Sequence, residues 1–462
     1  MPGPFPQTPD LSGFNAPVRI ECDLEELIVE GEIPAEIDGS WYRLGPDPYF
    51  PPSREDDIFF SGDGFVSRFQ IRDGKASYKR RYIQTDRLQN DKAAGRSLYG
   101  AYRNPFTDDP SVQGSIRGTA NTTPVFHGGK LLALKEDYLG MEIDPDTLET
   151  RGWWDFDGKL KSETVCAHPR IDFDTGEMFI FGFEAGGLCS RDVSYAIIDK
   201  HGELVSEQWF EVPYVSWMHD FVVTQEHVIF PVFPHTTDLD WLKAGNHHWK
   251  WDPSLPTYVG IMPRYGSVKE MRWFKGPAWS GFHFLNGFSD GNKVHMDFSV
   301  MRTSPFPPVR EASGVPFDMA DIQIPYMRWT FDLSQPGEGW TETPLCPAVG
   351  DFPRIADKDH MKDYEIGYYI NYDPANGEPL MCGPTYMGFN TLTRMNVKEG
   401  THTSFTMGPG FTFNEPIHIA SKQPGHEGYL AMVVDLHEEW RSDVGILEAA
   451  HSERGPSARI KM

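Results

Sequence analysis

The stretch Trp217–Val223, with the sequence WMHDFVV, places His219 at the head of an apolar run. A polar turn at 224–226 follows, and a second apolar run covers residues 228–233. Two apolar runs joined by a short polar turn are typical of a β-hairpin. The stretch therefore predicts a hairpin whose first strand begins with an imidazole.

The same arrangement occurs at two other places in the chain. His168 begins HPRIDF, which is followed by the turn DTGE and the apolar run MFIFGF, residues 178–183. His283 begins HFLNGF, which is followed by SDGN and by KVHMDF, residues 293–298. Looser copies surround His127 and the stretch 415–434. Hairpins that recur at intervals of roughly fifty to seventy residues are typical of propeller blades. We therefore predict that histidines far apart in the sequence meet at one metal near the propeller axis.

The composition favours short strands over long helices. Aromatic residues make up 13 % of the 462 residues, and 44 Gly and 38 Pro supply many turns. No Gly/Ser or charge-run linker divides the chain, so we expect an all-β fold in one domain, 1–462. The irregular segment 235–260 predicts a short helix and a lid, part of a loop-built cap over one mouth of the propeller.

The charge pattern excludes two classes of partner. A formal net charge of −25 argues against a nucleic-acid surface and against docking on anionic lipid headgroups. No apolar run has the length of a membrane helix, and the first residues lack a basic and apolar leader. We therefore expect a cytoplasmic protein without an integral membrane segment, while its oligomeric state stays open.

At this point several stretches, taken in order, resemble the carotenoid cleavage oxygenase family. They are WYRLGPDPYF, FFSGDGFVSRF, DPDTLET, CAHPRIDF, WMHDFVVT, the GFH at 281–283, GDFPRI, NEPIHIA and YLAMVVD. Three further stretches are most similar to the lignostilbene dioxygenase branch of that family. These are YGAYRNPFTDDPSV, RGTANT and LLALKED.

The resemblance implies a seven-bladed propeller with one axial Fe(II) per chain, held by four histidines and no carboxylate. His168, His219 and His283 match three of these ligands. The fourth follows the family segment that resembles SARIKM, so we expect it beyond Met462.

The resemblance also implies that carboxylates accept hydrogen bonds from the ring nitrogens that face away from the metal, as ligand imidazoles generally require. Glu136 and Glu415 match two of these carboxylates. Asp351 stands where the family usually has Glu, one methylene longer. We therefore expect a longer hydrogen bond at Asp351, or a bond through water.

The lignostilbene branch further implies how a substrate is held. Tyr102 and Lys135 match residues that grip the 4-hydroxyl of a phenol, and they are the expected catalytic groups. Phe60 matches an aromatic residue that packs on the ring, and Phe306 is expected to wall the cavity. The expected reaction cleaves, with O2, the C=C bond conjugated to a 4-hydroxyphenyl ring and gives two carbonyl products, such as vanillin-type aldehydes. Stilbenoids, propenylphenols such as isoeugenol and vinylphenols all fit this description.

Other interpretations stay open at this point. Apocarotenoids are the alternative substrates, and Lys135 could simply pair with Asp137 on the surface. A propeller hydrolase would favour oxygen ligands for its metal over histidine. A propeller that serves only as a binding platform is a further alternative. His247 and His248 are expected on a solvated loop, because adjacent side chains diverge.

Overall fold

A computed structural model describes residues 4–318, 325–335, 339–348 and 350–462. Its strands form seven antiparallel sheets of four or more strands, arranged as the blades of a propeller. A separate two-stranded ribbon lies outside the blades, with strands His235–Thr236 and Lys250–Trp251. The seven-bladed propeller expected from the sequence is confirmed.

Six blades have four strands each, here given in their order across the sheet. Blade 1 contains Gly39–Pro46, Gly64–Arg72, Lys75–Tyr82 and Cys22–Leu24. Blade 2 contains Thr123–His127, Lys130–Leu134, Gly140–Ile143 and Thr150–Trp154. Blade 3 contains Arg170–Ile171, Met178–Phe183, Asp192–Ile198 and Leu204–Glu211. Blade 4 contains Val222–Val223, His227–Val232, Thr257–Pro263 and Arg272–Gly276. Blade 5 contains Phe284–Asp290, Lys293–Ser299, Tyr326–Asp332 and Thr341–Cys346. Blade 6 contains Gly350–Arg354, Ile366–Asn371, Thr391–Asn396 and Thr401–Phe405.

Blade 7 joins two distant parts of the chain. It contains Phe411–Phe413, Ile417–Ile419, Tyr429–Leu436, Arg441–Glu448, Ala458–Lys461 and Ile28–Gly31. The last two strands pair in antiparallel register, with Val29 opposite Ile460. This pairing closes the ring of blades.

The hairpins that carry the three histidines form as the sequence predicts. The DTGE turn places Gly176 at φ +77° and the SDGN turn places Gly291 at φ +58°, a left-handed conformation that glycine adopts without steric cost. The third turn has no glycine, and Thr224 Oγ1 accepts a hydrogen bond from the His227 amide at 2.7 Å instead. The first strands of the three hairpins begin at Arg170, Val222 and Phe284, one to three residues after their histidines.

Apolar side chains fill the spaces between neighbouring blades. Phe233 and Trp329, for example, pack in a cluster shared by blades 4 and 5, and Leu285 and Tyr369 in one shared by blades 5 and 6. The strand Met178–Phe183 is buried at every position, which explains its uninterrupted apolar sequence. Burial of each such side chain stabilises the fold by about 1.5–3 kcal/mol.

Loops from three parts of the chain form a cap over one end of the axis. They include residues 97–108, 235–252 and 304–312, and they are joined by main-chain hydrogen bonds such as His248 N to Tyr102 O and Trp251 N to Arg310 O. The two α-helices of the described residues are Asp86–Ala94 and Leu239–Lys243. The 3₁₀ turns are Pro9–Leu11, Gly13–Asn15, Phe59–Ser61, Pro105–Thr107, Pro110–Val112, Val268–Glu270, Asp357–Asp359, Pro374–Asn376 and Ala449–Arg454. Within the described ranges, no helix has the length and apolar character needed to cross a bilayer.

Candidate metal centre and aromatic passage

His168, His219 and His283 converge at the axis, although blades 3, 4 and 5 each contribute one. The Nε2 atom of His219 lies 3.0 Å from His168 Nε2 and 3.2 Å from His283 Nε2. The three ligand atoms all lie within 4.8 Å of one another. Three imidazole nitrogens that face one point form a candidate site for a cation.

A buried salt bridge fixes the starts of the three strands relative to one another. Arg170, two residues after His168, donates to Asp220 Oδ2 at 2.6 Å and to the main-chain oxygen of Phe221 at 2.9 Å. Asp220, which follows His219, also accepts from the amide of Phe284 at 3.0 Å. Residues next to the histidines thus join the three blades. Sequence reasoning missed this contact, although Arg170 and Asp220 stand beside the histidines in HPR and MHD.

Carboxylates face the other ring nitrogen of two of the histidines. His219 Nδ1 lies 3.4 Å from Glu136 Oε1, and His283 Nδ1 lies 2.9 Å from Asp351 Oδ2. A carboxylate accepts a hydrogen bond from Nδ1–H and so keeps the proton on Nδ1. The lone pair of Nε2 then points to the axis. The expectation of a longer or water-mediated bond at Asp351 is wrong, because the 2.9 Å bond is direct.

The same surroundings shift the protonation of the imidazoles. Burial, together with the neighbouring His219 and His283, holds the pKa of His168 well below its ordinary value. Burial alone would lower the pKa of His283, but the adjacent Asp351 carboxylate raises it to about 9.

Glu136 is buried, and Trp217 Nε1 donates to its Oε1 atom at 2.9 Å. Trp217 therefore fixes the same carboxylate oxygen that faces His219. Glu415 lies in a different setting, because its Oε1 accepts from Arg354 at 2.5 Å and its side chain is 43 % exposed. Among the described residues, Glu415 forms no hydrogen bond with the three histidines, so its orienting role stays a prediction.

Aromatic side chains in contact with one another extend from His219 toward the cap, and we call this series of rings the aromatic passage. Phe282 lies between His219 and Phe306, with ring-centroid distances of 5.6 and 4.5 Å. Phe60 lies 5.1 Å from Phe306 and 5.8 Å from Trp217. The structure thus brings Phe60 and Phe306 together and adds Trp217 and Phe282, which the sequence analysis did not assign. The roles of Phe60 and Phe306 in substrate binding stay predictions.

Lys135 and Tyr102 lie at the cap end of this passage, and both are buried. Lys135 Nζ donates to the main-chain oxygen of Phe60 at 3.2 Å and to Asn121 Oδ1 at 3.0 Å, and it lies 5.4 Å from the Tyr102 ring centroid. The alternative of a surface pair between Lys135 and Asp137 is wrong, because Lys135 is only 3 % exposed and its ammonium bonds elsewhere. The Tyr102 hydroxyl has no protein hydrogen-bond partner within the described ranges.

His247 and His248 hold the loop that carries Tyr102. The Tyr102 amide donates to His247 Nδ1 at 3.1 Å, and the His248 amide donates to the Tyr102 carbonyl at 3.0 Å. His248 Nδ1 lies 2.9 Å from the Arg103 carbonyl, and its Nε2 lies 3.0 Å from Glu184 Oε1. The expectation of a solvated loop is wrong, since His248 is fully buried.

Burial shifts the pKa of both residues at the cap end of the passage. Loss of solvent lowers the pKa of Lys135, although the charges of Glu136 and Asp137 oppose this effect. Loss of solvent, followed by the charge of Glu136, raises the pKa of Tyr102 well above its ordinary value. Tyr102 therefore stays a neutral hydrogen-bond donor, which suits it to bind an oxygen that carries charge.

A seven-bladed propeller with a three-histidine candidate metal site on its axis has the features of a non-haem oxygenase. The family model described as RPE65, retinal pigment epithelial membrane protein, matches residues 15–462. The chain belongs to this RPE65/carotenoid oxygenase family.

Individual relatives show which members of the family this chain resembles. The chain is 41 % identical to lignostilbene-alpha,beta-dioxygenase isozyme III of Sphingomonas paucimobilis, over 99 % of this chain and 95 % of that protein. It is 36 % identical to isoeugenol monooxygenase of Pseudomonas putida, over 98 % of this chain and 95 % of that protein. The crystal structure of Pseudomonas brassicacearum lignostilbene dioxygenase matches with a TM-score of 0.96 at 40 % identity. The match covers 99 % of this chain and 96 % of that chain.

Proposed function

We propose that this protein is an iron(II)-dependent oxygenase that cleaves the C=C bond conjugated to a 4-hydroxyphenyl ring, with O2 as co-substrate. The observation that carries the proposal is the placement of Lys135 and Tyr102 at one end of an aromatic passage that has His219 at its other end. The relatives named for lignostilbene and isoeugenol support the same class of substrate.

The three histidines fit iron(II). Two ligands at right angles on one ion, each about 2.1 Å from it, lie about 3.0 Å apart. The Nε2 separations of 3.0 and 3.2 Å have this size. Imidazole nitrogens suit iron among other first-row metals. His168, His219 and His283 would hold the ion, and bound iron(II) would supply the site at which dioxygen is activated.

Lys135 and Tyr102 would bind the phenolic oxygen. An ammonium group has three N–H donors, and Lys135 uses two of them on Phe60 and Asn121. The third donor and the Tyr102 hydroxyl are available to one ligand oxygen. A cation in a dry site favours the ionised form of a bound phenol, so Lys135 would hold the substrate as a phenolate.

The passage would orient the alkene. Its walls are Phe60, Trp217, Phe282 and Phe306, whose rings pack on an aromatic substrate and exclude water. The phenolic oxygen would lie at Lys135 while the conjugated double bond extends toward the histidines. A phenolate donates electron density through the ring into that double bond, which prepares the alkene to react with O2. One alkene and one O2 give two carbonyl compounds, so no external reductant is needed.

A comparison of two substrates tests the proposal. The iron-loaded protein is incubated in air with 4-hydroxystilbene or with its methyl ether, without added reductant, and aldehyde formation is measured. We expect cleavage of the phenol and none of the ether, because the ether cannot form a phenolate. Equal cleavage of both compounds would contradict the proposal and favour apolar polyene substrates.

A further inference from the structure

A cavity of about 290 Å³ lies beside Phe60 and Tyr102. Exposed Glu163 and Leu188 lie at its edge, so it opens to solvent. None of the three histidines lines this cavity, and neither do Lys135 and Phe306. Phe60 and Tyr102 therefore lie between this cavity and the other rings of the aromatic passage.

Several of the residues that line this cavity have a buried polar atom without a hydrogen-bond partner among the described residues. Across the described part of the chain, Tyr102 Oη, Arg103 Nη1 and Asp137 Oδ1 are buried and form no hydrogen bond with another protein group. Buried polar groups of this kind are usually satisfied by water where there is room. A cavity of this size holds several water molecules, since each has about 30 Å³ in the liquid. The cavity is therefore a hydrated chamber.

Asp137 differs from the carboxylates that pair with the arginines of the chamber. Arg103 pairs with Glu184 at 2.8 Å, and Arg117 pairs with Asp108 at 2.8 Å. Arg87 lies 3.9 Å from Asp63. Asp137, by contrast, has no ion-pair partner within 4.0 Å among the described residues, and its Oδ2 lies 3.5 Å from Thr119 Oγ1. The Asp137 carboxylate is therefore not neutralised by a paired cation, and its Oδ1 atom has no hydrogen-bond partner within the described ranges.

Other groups near the phenolic site are less suited to accept that proton. Lys135 must stay an ammonium to stabilise the phenolate, and an ammonium has no lone pair. Glu136 does not line the chamber, and its Oε1 is occupied by Trp217 and faces His219. Burial raises the pKa of Asp137, although Lys135, Arg103 and Arg87 oppose this effect, so Asp137 is a stronger base than an exposed aspartate.

We propose that Asp137 accepts, through water in this chamber, the proton that a phenol loses when it binds between Lys135 and Tyr102. The phenolic O–H bond breaks, water next to Tyr102 carries the proton, and an O–H bond forms on Asp137. The proton then leaves to solvent past Glu163. Lys135 stays an ammonium throughout and stabilises the phenolate. This inference rests on the proposed function.

The test measures kcat/KM for 4-hydroxystilbene from pH 6 to 10 with the iron-loaded parent and Asp137→Asn proteins. Because the amide cannot accept the proton, we expect kcat/KM to fall by about 100-fold at pH 7, the lower end of general-base effects. The deficit should shrink as the pH approaches about 10, where a free phenol is itself ionised. A ring-fluorinated 4-hydroxystilbene, with a more acidic phenol, should show a smaller deficit at pH 7.

Two further variants serve as controls. Glu163→Gln alters the exposed edge of the chamber and should keep the parent pH profile, because solvent can accept the proton there. Asp137→Ala should regain activity when formate is added, because a small carboxylate can enter the open chamber. If Asp137→Asn does not fold, the rescue of Asp137→Ala by formate tests the role of Asp137 in its place.

The outcomes separate the two proposals. An Asp137→Asn deficit that is the same at every pH and for both phenols, or parent activity in that variant, would overturn the role of Asp137. Failure of the iron-loaded parent to cleave 4-hydroxystilbene would instead refute the proposed function.

Discussion

Asp351 Oδ2 accepts a hydrogen bond from His283 Nδ1 at 2.9 Å, across the boundary between blades 5 and 6. In the same way, Glu136 Oε1 of blade 2 lies 3.4 Å from the Nδ1 atom of His219 of blade 4. Two histidines of the centre are therefore oriented by carboxylates that belong to other blades. Iron affinity should depend on residues that never touch the metal.

We expect Asp351→Asn and Glu136→Gln each to weaken iron binding by about 10- to 100-fold, as loss of an orienting partner generally does. An amide can present its NH2 group to the imidazole, and it cannot stabilise the charge of a metal-bound ring. The measurement is the iron content after dialysis against a graded chelator series. Glu399→Gln is the matched control, and we expect no loss of iron because Glu399 is exposed in the turn that follows the blade 6 strand Thr391–Asn396. Equal iron content in all three variants would contradict the orienting role.

His219→Ala should abolish iron binding and leave the fold intact. His219 Nε2 is the atom that lies close to both other ligand nitrogens, so its removal opens the centre. Iron content and the thermal unfolding midpoint are measured together. His402→Ala serves as the control, because His402 is exposed on a blade 6 strand, Thr401–Phe405. Full iron content in His219→Ala would show that the three histidines are not a metal centre.

Lys135→Met should lower kcat by about 100-fold or more, the scale found when a donor that stabilises developing charge is removed. The change in KM should be smaller, because the methionine keeps most of the side-chain volume while the charge is lost. Tyr102→Phe should have a milder effect, and the double variant should be less than additive because both groups act on one oxygen. Steady-state kinetics with 4-hydroxystilbene measure these changes, and a Lys135→Met enzyme as fast as the parent would refute the phenolate mechanism.

His248→Phe should lower the free energy of unfolding by about 1–3 kcal/mol, because buried hydrogen-bonding atoms lose their partner. These atoms are Glu184 Oε1 and the Arg103 carbonyl. His247→Phe should cost less stability, since Asp56 O and the Tyr102 amide lie nearer the surface. It should nevertheless lower kcat by moving Tyr102, and His247→Asn, which retains an acceptor, should restore part of the loss. Urea unfolding and steady-state kinetics measure the two effects, and His402→Phe is the control for stability.

The convergence of His168, His219 and His283 could be predicted because local sequence patterns determine it. A histidine, an apolar run, a turn and a second apolar run define one hairpin, and propeller symmetry places equivalent positions near one axis. The strand predicted at residues 178–183 is therefore found at the same bounds, Met178–Phe183. Family motifs supplied the carboxylates, which no local pattern could have identified.

The cap was harder to predict because its contacts join segments far apart in the chain. The side chains of His247 and His248 point in different directions, as adjacent side chains must. Each nevertheless forms a hydrogen bond with the protein, His247 with the Tyr102 amide and His248 with Glu184. Hydrophobic periodicity carries no information on a loop that is buried by other loops. The chamber beside Tyr102 could not be predicted for the same reason, since residues from 60 to 188 line it.

The pairing of Val29 with Ile460 has a consequence for biosynthesis. These residues are more than four hundred positions apart, so the last blade cannot form until nearly all of the described chain has left the ribosome. Contacts of such sequence separation fold slowly, and partly folded chains expose strand edges that can pair with other chains. Nascent molecules of this protein should therefore depend on chaperones until the strand Ile28–Gly31 finds its partner. A truncation before Ala458 should produce aggregates even though six blades and His168, His219 and His283 are present.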